Sequence, residues 1–315
     1  MSAAGLRRPP LAGATTASRR YGPLWRRMVG FALPVAALGV LATVVVSRRD
    51  VFADALASAP LWLLGVAVLL QLAALLSRSE AWHRCVEAAG STVPRRGVFR
   101  ASGIGGLGSI VNGQLGLAAR IATLRRSAPS QCPRVGALLA AEVPIVAIEA
   151  ALAALTSFTL LGPLGLPWWS AVLCLAVSIA AVSGLTGLSR RRTTGLWSGL
   201  AILRSLDGRC RIFGLILIAV FAQIARNWLA LHALGVDASV FDAIAVLIAL
   251  VTLSQLPLGP SVGAVAVVLI LGSNGVALAA AAGILLSATG LVGTLCFGGW
   301  ALGDRLRPQS PVVTT

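Results

Sequence analysis

Of the 315 residues, 57% are hydrophobic and 11% charged, and the formal charge is +16, with every one of the 26 cations an arginine. An ordinary soluble domain is about 25% charged, so this composition excludes a soluble globular fold, a disordered chain and a disulfide-stapled secreted domain. The arginines stand in short clusters between apolar runs, which orients a membrane protein and grips anionic headgroups; none is long enough for a nucleic-acid-binding domain.

A bilayer core needs about 20 apolar residues per helix. Residues 1–27 read as an Arg-rich cytoplasmic tail ahead of a first span at 28–46. Ser18-Arg19-Arg20 looks like a twin-arginine signal and Ala57-Ser58-Ala59 like a cleavage site. The apolar run is too long for a signal core, however, and Arg48 and Arg49 separate it from that site, so the first helix is expected to stay as an anchor. A second span, 60–77, leads to Arg78, Arg84, Arg95, Arg96 and Arg100, a loop expected on the cytoplasmic side.

Next comes 103–119, apolar but broken by five glycines, Gly103, Gly105, Gly106, Gly108 and Gly113. A full crossing there would carry Arg120, Arg125, Arg126 and Arg134 outside, against the positive-inside bias, so the segment is expected to be re-entrant. Its glycines, with no strand before them, point to close helix packing rather than a dinucleotide loop. Asn112, Gln114 and Arg120 form a polar group in and after it, where Arg120 can hold a lipid phosphate bidentately or anchor the loop. For Arg125 and Arg126 the anchoring reading is preferred.

The third span, 136–161, carries Glu142 and Glu149, seven residues apart and so on one helical face. Trp168 and Trp169 open the fourth, 168–188, as interface-belt residues. An Arg-rich loop, 189–211, precedes the fifth, 212–234, which holds Gln223, Arg226 and Asn227. Intramembrane charge is costly and so points to function. Matching depths predict a Glu149–Arg226 ion pair, either a brace between helices or part of a translocation path. The second broken region, 243–271, is interrupted at Gln255, Pro257, Gly259 and Pro260, as a polar cavity or a packing kink. The sixth span, 276–302, leads to a cytoplasmic tail at 304–315. Cys85, Cys132 and Cys210 fall in cytoplasmic loops and Cys174 and Cys296 in spans, so no disulfide framework is expected. His83 and His232 make no metal motif, and neither a metal nor a cofactor is expected.

The fold expected is an all-α polytopic membrane protein: one integral domain over 28–303, with about six full transmembrane helices and two Gly/Pro-broken, re-entrant segments in an inverted-repeat arrangement. Broken segments in corresponding positions point to a midplane site in inverted-repeat transporters.

The order of these pieces resembles the flippase-like membrane domain family of lysylphosphatidylglycerol synthases over residues 30–303. The likeness rests on Arg78 and Trp82, on Asn112-Gly113-Gln114-Leu115-Gly116-Leu117-Ala118-Ala119-Arg120 followed by Glu142, and on Leu256-Pro257-Leu258-Gly259-Pro260-Ser261-Val262-Gly263. It implies movement of phospholipids or polyprenyl-linked lipids between leaflets of the cell membrane. The residues after 303 leave no room in this chain for the family's soluble aminoacyl-transfer domain, so no enzymatic aminoacylation is expected of it. Gly113 stands where the family usually has Pro, Leu117 where it has Glu, Val143 where an Arg follows the Glu, and Ser261 and Val262 replace a Gly pair. Those departures favour the alternative, a non-transporting membrane partner of a separate lipid- or glycan-modifying enzyme. The site expected for a flippase comprises Asn112, Gln114, Arg120, Glu142, Glu149, Arg226, Asn227, Gln255, Pro257 and Pro260, facing lipids with anionic headgroups. An intramembrane enzyme would have only Glu142 and Glu149 for acid–base work.

Overall fold

A computed structural model describes residues 60–111, 113–192, 194–253, 262–271 and 276–306. All regular structure among them is helical. Five helices, Leu61–Ala88, Val135–Leu155, Trp169–Arg191, Leu206–Ala233 and Ala279–Leu306, are long and apolar enough to cross a membrane. They correspond to the second to sixth expected spans; the first, at 28–46, lies outside the described residues. The protein is therefore an all-α polytopic membrane protein.

In chain order the α-helices are α1 Leu61–Ala88, α2 Arg95–Val111, α3 Gly113–Ser127, α4 Val135–Ala140, α5 Val143–Leu155, α6 Leu161–Leu164, α7 Trp169–Arg191, α8 Leu206–Ala233, α9 Val240–Leu253, α10 Val262–Leu271 and α11 Val276–Leu306, with 3-10 turns at Ser157–Leu160 and Gly195–Arg204. The centre is the antiparallel pair α1 and α8. Leu63 and Leu64 at the start of α1 pack with Ala230 and Leu231 near the end of α8. Ala81, Trp82 and Val86 near the end of α1 pack with Ile212 and Ile216 near the start of α8.

The two broken segments join opposite ends of that pair. The first becomes a helical hairpin, α2 against α3, and buries Val98, Ala101, Ile121 and Leu124 at the Trp82 end. Small residues at the seam let the backbones touch: a Cβ on Gly116 would lie 2.8 Å from the Gly105 carbonyl oxygen, and one on Gly105 would lie 2.9 Å from that of Gly116. The hairpin's outer face approaches α11 equally closely, since a Cβ on Gly103 would lie 2.9 Å from the Phe297 carbonyl. Both its ends carry arginine, Arg95 and Arg96 at the start of α2 and Arg125 and Arg126 in the last turn of α3.

The second broken segment gives α9 and α10, packed with the first half of α11 at the Leu231 end. At 1.5 Å rise per residue, α9 with 14 residues is about 21 Å long and α10 with 10 about 15 Å, both short of a hydrocarbon core of about 30 Å. The Pro-containing break between them, with Gln255, Pro257 and Pro260, lies outside the described residues.

Three boundaries differ from hydropathy. Helix α1 runs on from Ser77 to Ala88, so Arg78 and Arg84 are helical, not loop, residues. Such long side chains leave hydropathy low while the helix continues to pack. The third span divides between α4 and α5, with Glu142 as N-cap of α5 and a Pro at the start of that helix, since Pro removes a backbone donor and clashes with the preceding turn. Finally, α11 continues to Leu306, and Asp304, expected in a tail, is buried and ion-paired with Arg96 and Arg100 at the start of the hairpin.

Helix α7 shows what faces lipid. Val172, Leu173, Val177 and Ile179 are all exposed; such a helix suits a hydrocarbon solvent and no other. Trp168 and Trp169 stand exposed at its start.

Candidate functional site

Helix α1 presents two polar levels to its neighbours, at Arg78 and at Gln71, seven residues and so about 10 Å apart.

At the first level four charges meet. The Arg78 guanidinium reaches Glu149 on α5 through Nη1 at 2.7 Å and Glu142 through Nη2 at 3.6 Å. Arg120 on α3 donates from Nη1 to both oxygens of Glu142, at 3.1 and 3.3 Å. The Arg120 guanidinium also lies 3.7 Å from the centroid of the Trp82 ring, one helical turn beyond Arg78 on α1. Trp82 is fully buried, while the Arg78 side chain remains 41% exposed. The hairpin seam makes this arrangement possible: a Cβ on Gly105 would lie 2.8 Å from that of Arg120. Two cations and two anions cancel, so each pays its desolvation against a partner.

Beside this cluster a groove of about 300 Å³ runs between α5 and α7, lined by Glu142, Val143, Val146, Ala147, Ala181 and Leu185. Its exposed lining is apolar throughout, Glu142 contributing its methylene stem and not its carboxylate.

At the second level there is one charge. Arg226 of α8 donates through Nη1 to the amide oxygen of Gln71, and its Nη2 lies 3.3 Å from the Asn227 amide oxygen. Gln223 Nε2 donates to the same Gln71 oxygen at 3.0 Å. Arg226, Asn227 and Gln71 are all buried.

The expected Glu149–Arg226 ion pair is therefore not formed. Depth along the membrane normal says which residues share a level, not which faces meet. The antiparallel packing of α1 on α8 turns Arg226 toward Gln71, and Glu149 is taken by Arg78. Of the expected site residues, Arg120, Glu142 and Glu149 come together, while Arg226 and Asn227 form the separate second level. Gln114 is exposed at the start of α3, six residues ahead of Arg120. Asn112, Gln255, Pro257 and Pro260 lie outside the described residues. Arg125 and Arg126 are exposed in the last turn of α3, where cations complement the helix dipole.

Sequence reasoning missed the part played by Arg78, Trp82 and Gln71. A signal existed: Gln71 and Arg78 repeat the seven-residue spacing of Glu142 and Glu149, and Arg78 and Trp82 are one turn apart. Arg78 and Trp82 entered the sequence reading through the resemblance alone, and taking Arg78 as an orienting loop charge kept it out of the expected site.

Comparison with protein-family models, with curated proteins and with solved structures finds no match to this chain.

Proposed function

We propose that this protein is a flippase-like transporter that moves an anionic or polyprenyl-linked lipid between the leaflets of the cell membrane. Both termini and the Arg-rich loops then face the cytoplasm, by the positive-inside rule. The observation that carries the reading is the balanced cluster of Arg78, Arg120, Glu142 and Glu149, with an apolar groove between α5 and α7 that reaches the stem of Glu142. A lipid with its chains along the aliphatic side of the groove has its phosphate next to Arg78 and Arg120. The phosphate then competes with Glu142 and Glu149 for guanidinium groups. The phosphate takes a carboxylate's place on the guanidinium groups, so the arginines stay paired throughout, and the displaced carboxylate carries the cost. Further support comes from the resemblance of the Asn112–Arg120 stretch and Glu142 to the flippase-like family, and from two broken segments at opposite ends of the α1–α8 pair.

The test is leaflet exchange of fluorescent phospholipids and polyprenyl phosphates in liposomes containing the purified protein. Exchange above empty liposomes is expected, and its loss in an Arg120→Gln/Glu142→Gln double variant, which keeps the cluster neutral and so keeps the fold. Unchanged exchange in that folded double variant overturns the assignment of the site.

A second reading, a membrane partner of a separate lipid- or glycan-modifying enzyme, is favoured by Gly113 and Leu117, where the family it resembles usually has Pro and Glu. It predicts no exchange by folded protein and co-purification with such an enzyme.

A further inference from the structure

The Arg226 level poses a problem of charge that the Arg78 level does not. A guanidinium buried in a membrane is expensive and is ordinarily paired. Among the described residues, no carboxylate lies within ion-pair distance of Arg226; its acceptors are the neutral amide oxygens of Gln71 and Asn227. Its Nε and the Asn227 Nδ2 are buried without an acceptor. The remaining two acids of the chain, Asp50 and Asp54, lie outside the described residues.

The donors at this level also converge. Gln223 Nε2 and Arg226 Nη1 point at one atom, the Gln71 amide oxygen. That is how an anionic oxygen is held, by a cation and an amide donor together. Opposite them α11 presents Gly290, where a Cβ would lie 3.1 Å from Arg226 Nη1; the missing side chain leaves the guanidinium edge room.

We infer that Arg226, Gln223 and Asn227 form a second anion-binding station, for a singly charged phosphodiester, whose place is kept by the Gln71 amide oxygen when no anion is bound. One uncompensated positive charge calls for one negative charge, so the station favours a phosphodiester over a doubly charged phosphomonoester. The ligand displaces the Gln71 oxygen and accepts from Gln223 and Arg226, and Nε of Arg226 and Nδ2 of Asn227 supply further donors. This deepens the transport reading and rests on it in one respect only: a lipid received at Arg78 and Arg120 has its next station two helical turns along α1.

The decisive variant is Gln71→Glu, which supplies the missing anion permanently. Purified full-length protein, wild type and variants, is titrated with phosphatidylglycerol, with diacylglycerol as the uncharged control and with soluble dimethyl phosphate. Bound lipid is counted by native mass spectrometry, and thermal unfolding is followed in parallel. Wild-type protein should bind phosphatidylglycerol and not diacylglycerol, and be stabilised by it. Gln71→Glu should unfold at a higher temperature than wild type without ligand, and bind phosphatidylglycerol at this station at least about tenfold more weakly, the loss of one charge-assisted pair. Arg226→Gln should lose the same bound lipid. Stabilisation of wild type by dimethyl phosphate, absent in Gln71→Glu, shows that the station reads the phosphodiester itself; a response to the lipid alone shows that it needs the acyl chains as well. A Gln71→Glu protein that binds like wild type, or is less stable than wild type, overturns the inference. Binding lost in Gln71→Glu by a wild-type protein that exchanges no lipid would instead overturn the transport reading and leave this one standing.

Discussion

The two polar levels on α1 are built from similar residue types and solve opposite problems. At Arg78 two arginines meet two glutamates, and the cluster is neutral within itself. At Gln71 one arginine meets amides only, and among the described residues a positive charge is left over. In a medium where charge is costly, an anion entering the neutral cluster must displace one of its carboxylates. At a level with a surplus charge it has no carboxylate to displace. The same residue, arginine, is thus balanced or left in surplus according to what the neighbouring helix brings to its level.

The sharpest way to break this contrast is to unbalance the first level. Glu142→Gln leaves Arg120 buried on Trp82 with no carboxylate, and should destabilise the protein by about 3–5 kcal/mol, read as a fall in the thermal midpoint in detergent. Adding Arg120→Gln should return most of that loss, because the remaining Arg78–Glu149 pair is neutral again. If the double variant is no better than the single one, charge balance is not what the cluster supplies.

The hairpin seam comes next. Gly116→Ala places a Cβ 2.8 Å from the Gly105 carbonyl, too close for real atoms, and should cost about 1–3 kcal/mol as overpacking. The same measurement checks it, and wild-type stability would mean that α2 and α3 are free to separate. Trp82→Leu removes the ring under Arg120; the cation–π part of its effect is about 2 kcal/mol for a desolvated pair. It is isolated by a double-mutant cycle with Arg120→Gln, which should show coupling of that sign.

Arg226→Gln sharpens the contrast from the other side. It removes a charge with no ionic partner, so it should cost less than Glu142→Gln, about 1 kcal/mol or less, from hydrogen bonds alone. A cost as large as that of Glu142→Gln would mean that Arg226 is as well paired as Arg120. The smallest effect belongs to the exposed Asp207–Arg211 pair, four residues apart at the start of α8. Asp207→Asn should change stability by about 0.5 kcal/mol at most.

The wider architecture of this molecule followed from pattern. The five spans among the described residues were legible because a run of apolar residues long enough to cross a bilayer has few other uses. That 103–119 is not one straight span was legible from its glycine density and the arginines after it. Glu142, Glu149, Arg120 and Arg226 stood out because few intramembrane residues carry charge.

What pairs with what was not legible. Arg78 looked like a loop cation because hydropathy falls where a helix becomes polar, although α1 continues for another ten residues beyond it. Glu149 and Arg226 looked like partners because their depths match. Sequence thus determined that this is an all-α membrane protein and about where five of its apolar spans lie, since these depend on local composition and the thickness of the solvent. Tertiary structure alone decided that Arg78 takes Glu149 and that Arg226 faces Gln71. Such choices depend on how α1, α3, α5 and α8 rotate against each other, and that rotation is set by packing contacts between residues far apart in the chain.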